Sequence, residues 1–304
     1  MKYDVLILGG GPAGLAAALY AKRAGVSVLV LERSIYGGQV TNTPTVENYP
    51  GILNISGVDL AMALYEQVTG LGIEVRLEEP VSYQLDAPAK AVATARGLYE
   101  AKAVIVANGV KRRTLGCPGE ERLAGRGVSY CATCDGAFFQ GAEVAIVGGG
   151  NTALEDALFL SNNCAAVHLI HRRDQFRGSS ILVEAVKKRQ NIHLHLNSVV
   201  EEITGEEKVA GARLRDVTTG EETRLELSGV FVAVGLAPDN AAFAGQLALD
   251  GAGYIQAGED CRTNLAGVFA AGDTRTKEVR QIITAAADGA VAALGAANYV
   301  NSLE

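Results

Sequence analysis

The chain has 304 residues, 48% of them hydrophobic, with 36 glycines, 34 acidic and 27 basic side chains and a net charge of −7. That length is enough for two domains with separate buried cores. The acidity excludes a broad basic stripe of the kind that tracks nucleic acid, and the one dense cluster, His171-Arg172-Arg173, is too short to wrap a polyanion.

The first apolar run, Val5 to Ala21, is interrupted by glycines and a proline and preceded by Asp4. It reads as strand, turn and helix rather than as a signal-peptide core or a bilayer span. With no export signal and an odd number of cysteines, 5, the expected compartment is a reducing cytoplasm. The turn itself is Gly9-Gly10-Gly11-Pro12-Ala13-Gly14. A second strand follows over 27–31, then a helix over about 56–70, short alternating segments, and an apolar strand, Ala103–Gly109.

Shifting the chain by 139 residues lays it on itself: Asp4-Val-Leu-Ile-Leu-Gly-Gly-Gly falls on Glu143-Val-Ala-Ile-Val-Gly-Gly-Gly. The second copy repeats the order with a turn at Gly148-Gly149-Gly150-Asn151-Thr152-Ala153, a strand over 166–170 and a helix over 179–189. Alternating segments follow at Val199–Thr204, Val209–Val217 and Thr223–Leu227, and the copy closes on the strand Val230–Gly235. The remainder, with Gly267–Asp273 and a long alanine-rich helix over about 279–299, is too small for a third domain. It is expected to return to the first unit, through crossings near Lys111–Gly119 and Leu236–Asn240. The expected fold is α/β: two dinucleotide-binding, Rossmann-like, three-layer domains, the second inserted into the first. The boundaries fall at residues 1–112 with 241–304, and 113–240.

Glycines at 9, 11 and 14, with Pro12 and Ala13, let backbone N–H groups approach a pyrophosphate at a helix N-terminus, as do Gly148, Gly150, Asn151 and Thr152 in the second copy. The discriminating position lies 23 residues beyond the first glycine of each motif. In the first copy it is Glu32, a carboxylate that accepts from ribose hydroxyls and repels a 2′-phosphate, which points to FAD or NAD. In the second it is His171, followed by Arg172, Arg173 and, a turn on, Arg177. Their guanidiniums can fork onto a phosphate, so that site favours NADPH over NADH.

Between the motifs lies Cys131-Ala132-Thr133-Cys134-Asp135-Gly136. In a reducing compartment a CxxC is redox-active or metal-binding. Zinc needs two further ligands, and Cys117, Cys164 and His168 stand at no recognised spacing. As a redox pair the thiols close a small ring, with Asp135 as a proton donor to a leaving thiolate. Two nucleotide sites around a dithiol imply a chain from nicotinamide to flavin to disulfide to a protein partner, because a disulfide accepts a hydride poorly. Cys117, Cys164 and Cys261 read as buried small hydrophobes.

These segments, together with Gly37-Gly38-Gln39, Val46–Gly51, His171–Arg177, Gly267–Asp273 and Arg280-Gln281, resemble low-molecular-weight, prokaryotic-type thioredoxin reductase along essentially the full chain. The resemblance implies a homodimer, an FAD domain in two segments and an inserted NADPH domain that carries the dithiol and rotates. It places Gly38, Gln39, Asn48, Gly109, Gly272, Asp273, Arg280 and Gln281 around FAD. It gives Cys134 the face toward flavin, Cys131 the exchange with thioredoxin, and Asp135 the proton. The chain departs from the family at Asn108, usually threonine, and at Cys117, usually aliphatic. Three rivals stand: a flavin reductase of this fold fed by ferredoxin, a non-catalytic redox sensor, and a reductase whose partner is another small thiol protein, glutaredoxin-like or peroxidase-linked. The arginine set opposes the first, and the intact Cys131, Cys134 and Asp135 oppose the second.

Overall fold

The computed structural model describes residues 2–43 and 45–303. In chain order, β1 (Lys2–Leu8), α1 (Pro12–Arg23), β2 (Val28–Glu32), α2 (Gly57–Thr69), β3 (Glu74–Leu77), β4 (Pro80–Gln84), β5 (Lys90–Thr94) and β6 (Gly97–Val106) form the first segment. The crossing β7 (Val110–Arg112) leads to β8 (Val128–Ser129), α3 (Ala132–Asp135), β9 (Glu143–Gly148), α4 (Asn151–Ser161), β10 (Ala166–Ile170), α5 (Ser180–Lys187) and β11 (Ile192–His195). A meander of β12 (Ser198–Thr204), β13 (Gly211–Asp216) and β14 (Glu222–Glu226) precedes β15 (Gly229–Ala233). The chain returns through β16 (Leu236–Pro238) to β17 (Val268–Ala270) and α6 (Ile282–Asn301).

The chain divides into two compact units, Met1–Lys111 with Ala237–Glu304, and Arg112–Leu236. The sheet of the first runs β3-β2-β1-β6-β5-β4, with β17 added to β6. Strand β6 is one of the places where the two segments of this unit meet. Its first half pairs antiparallel with β5, Gly97 opposite Thr94 and Ala101 opposite Lys90. Beyond that, Val104–Val106 take up β17 in parallel. The alternating segments therefore extend the sheet here, whereas in the second unit they form a separate three-stranded layer. That second unit holds a five-stranded parallel sheet, β11-β10-β9-β15-β8. Strand β2 is buried at every position, as expected of a parallel strand covered on both faces.

Alternation then sorts each strand between two cores. In the first unit Val5, Ile7, Val28, Val30, Ala103 and Ile105 face the alanines of α1 and α6. Leu6, Leu8, Leu29, Leu31, Val104 and Val106 face the opposite layer with Phe243 and Ile255. In the second unit Val144, Ile146, Val167 and Leu169 pack on α4, and Ala145, Val147, Ile170 and Val230 pack with meander residues Ile203, Ala212 and Leu214. Full burial of each large aliphatic is worth about 1.5–3 kcal/mol.

The helix pair α1/α6 is close because its contact residues are small. A Cβ at Gly289 would stand 2.2 Å from the Ala13 carbonyl oxygen. By length and composition α6 could cross a bilayer, yet Ala285, Ala292, Ala293, Ala296 and Ala297 are buried in the first unit's core.

Asp156 on α4 carries a stability cost. Burial, reinforced by neighbouring Glu155 and opposed by Arg112, pushes its carboxyl up to about 6. A raised carboxyl pKa makes the protonated form the better-folded one, so stability falls as pH rises from the unfolded value through about 6. Asp156→Asn should therefore raise Tm by a few degrees at pH 8 and leave it unchanged at pH 4. An equal shift at both pH values would refute the assignment.

Candidate functional site

The first glycine turn opens onto a cavity of about 960 Å³ wholly within the first unit. Gly9, Gly11, Pro12, Ala13, Glu32, Gly38, Gln39, Asn48, Gly109, Asp273, Arg280 and Gln281 all line it. The turn cannot carry larger residues: Gly9 has φ +114°, and a Cβ on Gly14 would meet the Gly9 carbonyl oxygen at 1.8 Å. Gly14 and Gly272 are not among the lining residues; they hold the wall from behind. Glu32 is buried at the end of β2, accepting the Gly10 N–H at 2.6 Å and the Ser34 N–H at 2.8 Å. Its carboxylate thus ties the turn to β2 and borders the cavity at the same time. Asn48 donates to Gln281 at 3.1 Å, bridging the two chain segments of the unit, and Gln39 reaches the Val110 carbonyl at 3.4 Å.

Two buried polar atoms in this wall, Asp273 Oδ1 and Arg280 Nε, have no hydrogen-bond partner among the described residues. Burial of such groups without partners is costly, so the cavity is shaped for a ligand that carries its own donors and acceptors. Burial also raises the Asp273 pKa, against the pull of Lys277 and Arg280. The glycine turn and these atoms fit a dinucleotide with a pyrophosphate and hydroxyls.

One wall is braced by Asn108, Asp239, Asn240 and Thr274, none of which belongs to a glycine or cysteine motif. Asn108 donates to the Asp239 carbonyl at 2.9 Å, and its Oδ1 accepts from the Thr274 hydroxyl at 2.8 Å. Buried Asn240 donates to the carbonyls of Gly253 and Thr274, both at 3.0 Å. Asp239 receives Lys111 at 2.8 Å and also pairs with Arg33, and Lys111 first, then Arg33, hold its pKa down against burial. The departure at Asn108 therefore has a structural use: a branched amide bonds to both the returning segment and the loop that carries Asp273.

The second glycine turn is built alike, with a Cβ at Gly148 falling 2.3 Å from the Ala233 carbonyl oxygen. His171, at the position equivalent to Glu32, is buried under the turn, where a Cβ on Gly149 would stand 2.2 Å from its ring. Its Nε2 lies 3.1 Å from the Gln175 carbonyl, and its ring stacks on Phe176. Burial lowers its pKa, with weaker contributions from Arg177, Arg173 and Arg172, so the neutral ring is the stable form. The Arg177 N–H donates to the Gly149 carbonyl at 2.7 Å, and Asn151 Oδ1 accepts the Ser179 N–H at 2.8 Å. Arg172, Arg173 and Arg177 are exposed, and their guanidiniums make no ion pair among the described residues. Gly150 and Thr152 flank Asn151 at the start of α4. The arrangement offers three exposed guanidiniums, without an ion pair among the described residues, on the loop that follows β10.

Cys131 and Cys134 are joined by a disulfide. Cys131 caps α3, its Sγ accepting the Cys134 N–H at 3.2 Å, and Cys134 is exposed. Asp135 accepts from the Ser129 hydroxyl at 2.6 Å, and Ser129 Oγ in turn accepts the Cys131 N–H at 3.1 Å. Buried Ser129 thus couples the candidate proton donor to the backbone of the first cysteine; only its place two residues before the motif hinted at this. No cluster that would hold a metal ion occurs among the described residues. Cys164 and Cys261 are buried, while Cys117 is half-exposed beside Glu120, and its thiol is pushed up to about 11, mainly by burial.

The family model of pyridine nucleotide-disulphide oxidoreductases matches residues 3–289. A thioredoxin reductase of Listeria monocytogenes is 44% identical over 99% of this chain and 95% of its own length. A bifunctional thioredoxin reductase/thioredoxin of Mycobacterium leprae is 45% identical over 98% of this chain and 66% of its own. The crystal structure of Lactococcus lactis thioredoxin reductase superposes with a TM-score of 0.89 at 41% identity, covering 99% of this chain and 100% of that one. Members of this family use a flavin and a pyridine nucleotide. The chain belongs to the pyridine nucleotide-disulphide oxidoreductases and, within them, to the low-molecular-weight thioredoxin reductases.

Proposed function

We propose that this protein reduces the disulfide of thioredoxin, or of a thioredoxin-like protein, with electrons from NADPH. The reading places FAD in the first-unit cavity and NADPH on the second glycine turn, with Arg172, Arg173 and Arg177 toward the 2′-phosphate. When bound, the flavin accepts a hydride from the nicotinamide and relays the electron pair to a disulfide. The observation that carries the reading is the coupling of a reducible Cys131–Cys134 disulfide to Ser129 and Asp135 in a chain with two glycine turns.

The chain's own residues complete the exchange. In the reduced form the Cys134 N–H favours the Cys131 thiolate, which attacks one sulfur of the partner's disulfide. Cys134 then displaces the partner from the mixed disulfide. Two thiols here become one disulfide, one disulfide there becomes two thiols, and Asp135 supplies a proton to the leaving sulfur. Phe138, four residues beyond Cys134 and 83% exposed, is an apolar contact ready for a protein partner. Phe138→Ala should raise KM for oxidised thioredoxin about tenfold with kcat little changed. An unchanged KM would remove Phe138 from the docking face.

The reading extends to a cytoplasmic homodimer that binds neither nucleic acid nor membrane. Exposed Val58 and Met62 on α2 and Val291 and Leu294 on α6 support self-association. Sedimentation equilibrium of the holoprotein tests it: a monomer at micromolar concentration would overturn the dimer. Retention of FAD through gel filtration, read from the absorbance spectrum, tests the first cofactor assignment.

A further inference from the structure

Asp288, on the second turn of α6, is buried and receives four donors. The Gly272 N–H reaches Oδ2 at 2.9 Å, Arg275 Nε and Lys277 Nζ reach it at 2.8 Å, and Arg275 Nη2 reaches Oδ1 at 2.8 Å. The side chains of Arg275, Lys277 and Asp288 are 2%, 6% and 8% exposed. Arg275 also pairs with Glu259 at 3.3 Å, but that carboxylate is 95% exposed and contributes little.

A buried ion cluster is weak grounds for stability, since apolar replacements of similar volume are often neutral or better. What these apolar replacements would not reproduce is the acceptor for the Gly272 N–H. Gly272 sits at φ +78°, where a Cβ would come within 2.8 Å of Ala13 Cβ, and the next residue is Asp273 with its unpartnered buried Oδ1. Ala13 belongs to the first glycine turn, and its carbonyl also faces Gly289, the residue after Asp288. Asp288 therefore stands where two walls of the cavity, the glycine turn and the Gly272–Asp273 loop, meet one helix.

We infer that Asp288 is a positioning residue for the cofactor: its carboxylate fixes Gly272 and thereby sets the place of Asp273 in the cavity wall. Arg275 and Lys277 serve to keep that carboxylate charged and in place. The inference rests on the reading of this cavity as the FAD site. A group aimed at a ligand loses affinity when displaced by fractions of an ångström, even if the fold is unchanged.

The test compares two charge-free variants that differ only in the acceptor. In Arg275→Met/Lys277→Met/Asp288→Asn an oxygen remains for Gly272; in Arg275→Met/Lys277→Met/Asp288→Leu none does. Each is stripped of cofactor and titrated with FAD by fluorescence, and Tm of the cofactor-free chain is measured in parallel. The expected result is similar Tm values, an asparagine variant within about threefold of wild-type affinity, and a leucine variant weakened at least about tenfold. Equal FAD affinities in the two would overturn the inference. Should the leucine variant fail to fold, Asp288→Glu decides instead, because it keeps all charges and shifts the oxygens by one methylene. Tm near wild type with FAD affinity down about tenfold supports the positioning role, and unchanged affinity refutes it. A wild-type chain that does not bind FAD would reject the cavity assignment itself, a separate and recognisable failure.

Discussion

Cys134→Ser is expected to lower thioredoxin turnover by at least about 10³-fold while leaving NADPH-driven bleaching of the flavin intact. The serine hydroxyl, with a pKa far above the thiol's, neither closes a disulfide with Cys131 nor resolves a mixed disulfide. Cys131→Ser should be equally inactive for a different reason, since the attacking sulfur is gone. Turnover separates neither variant from the other, but trapping does. Cys134→Ser should accumulate a mixed disulfide with thioredoxin through Cys131, because the thiol that resolves it is missing. Cys131→Ser should accumulate none. Stopped-flow absorbance and non-reducing electrophoresis read the two results. Normal turnover in either variant, or trapping in the wrong one, would contradict the assigned roles.

The second large effect concerns nucleotide choice. Arg172→Ala with Arg173→Ala should raise KM for NADPH about 10²-fold and change KM for NADH less than about threefold. Each charge-assisted bond is worth about 1.5–3 kcal/mol, and exposure of these side chains places both near the lower end. Because His171 is buried beneath Gly149 rather than exposed with the arginines, His171→Ala should behave differently. It opens a hole under the turn, so Tm and KM for both nucleotides should suffer together. Equal losses for NADPH and NADH in the arginine variant would place the phosphate elsewhere.

The fold was legible because its determinants are local and repeated. The self-match at an offset of 139 residues, the continuous apolar strands and the glycine turns specify one βαβ element, β1–α1–β2 in the first unit and β9–α4–β10 in the second. The offset could not tell that the alternating segments join the main sheet in one unit and form their own layer in the other. That difference depends on β6 running ten residues, long enough to pair with β5 and then with β17. The crossings show the same limit. Asp239 and Asn240 stand with the first unit because Lys111, Arg33, Asn108 and Thr274 hold them there, contacts between residues up to 206 positions apart.

Among the candidate site residues, those that belong to a motif stand out in the sequence: the glycines, Glu32, the arginines, the dithiol. Those proposed to act through another residue do not. Ser129 and Asp288 are ordinary residues in a strand end and a helix, and only folding brings one to Asp135 and the other to Gly272. His171 was readable as part of a basic cluster, but its burial depends on the Gly149 backbone lying across it.

The central claim, a relay from NADPH through flavin and the Cys131–Cys134 disulfide to thioredoxin, is tested most directly by one anaerobic titration. NADPH is added to the oxidised holoprotein while the flavin absorbance is followed, and oxidised thioredoxin is then supplied. Bleaching that completes near about two equivalents, one for each two-electron centre, and reverses on adding thioredoxin is the predicted result. A flavin that stays oxidised under NADPH, or one that bleaches after about one equivalent and is not reoxidised by thioredoxin, would contradict it.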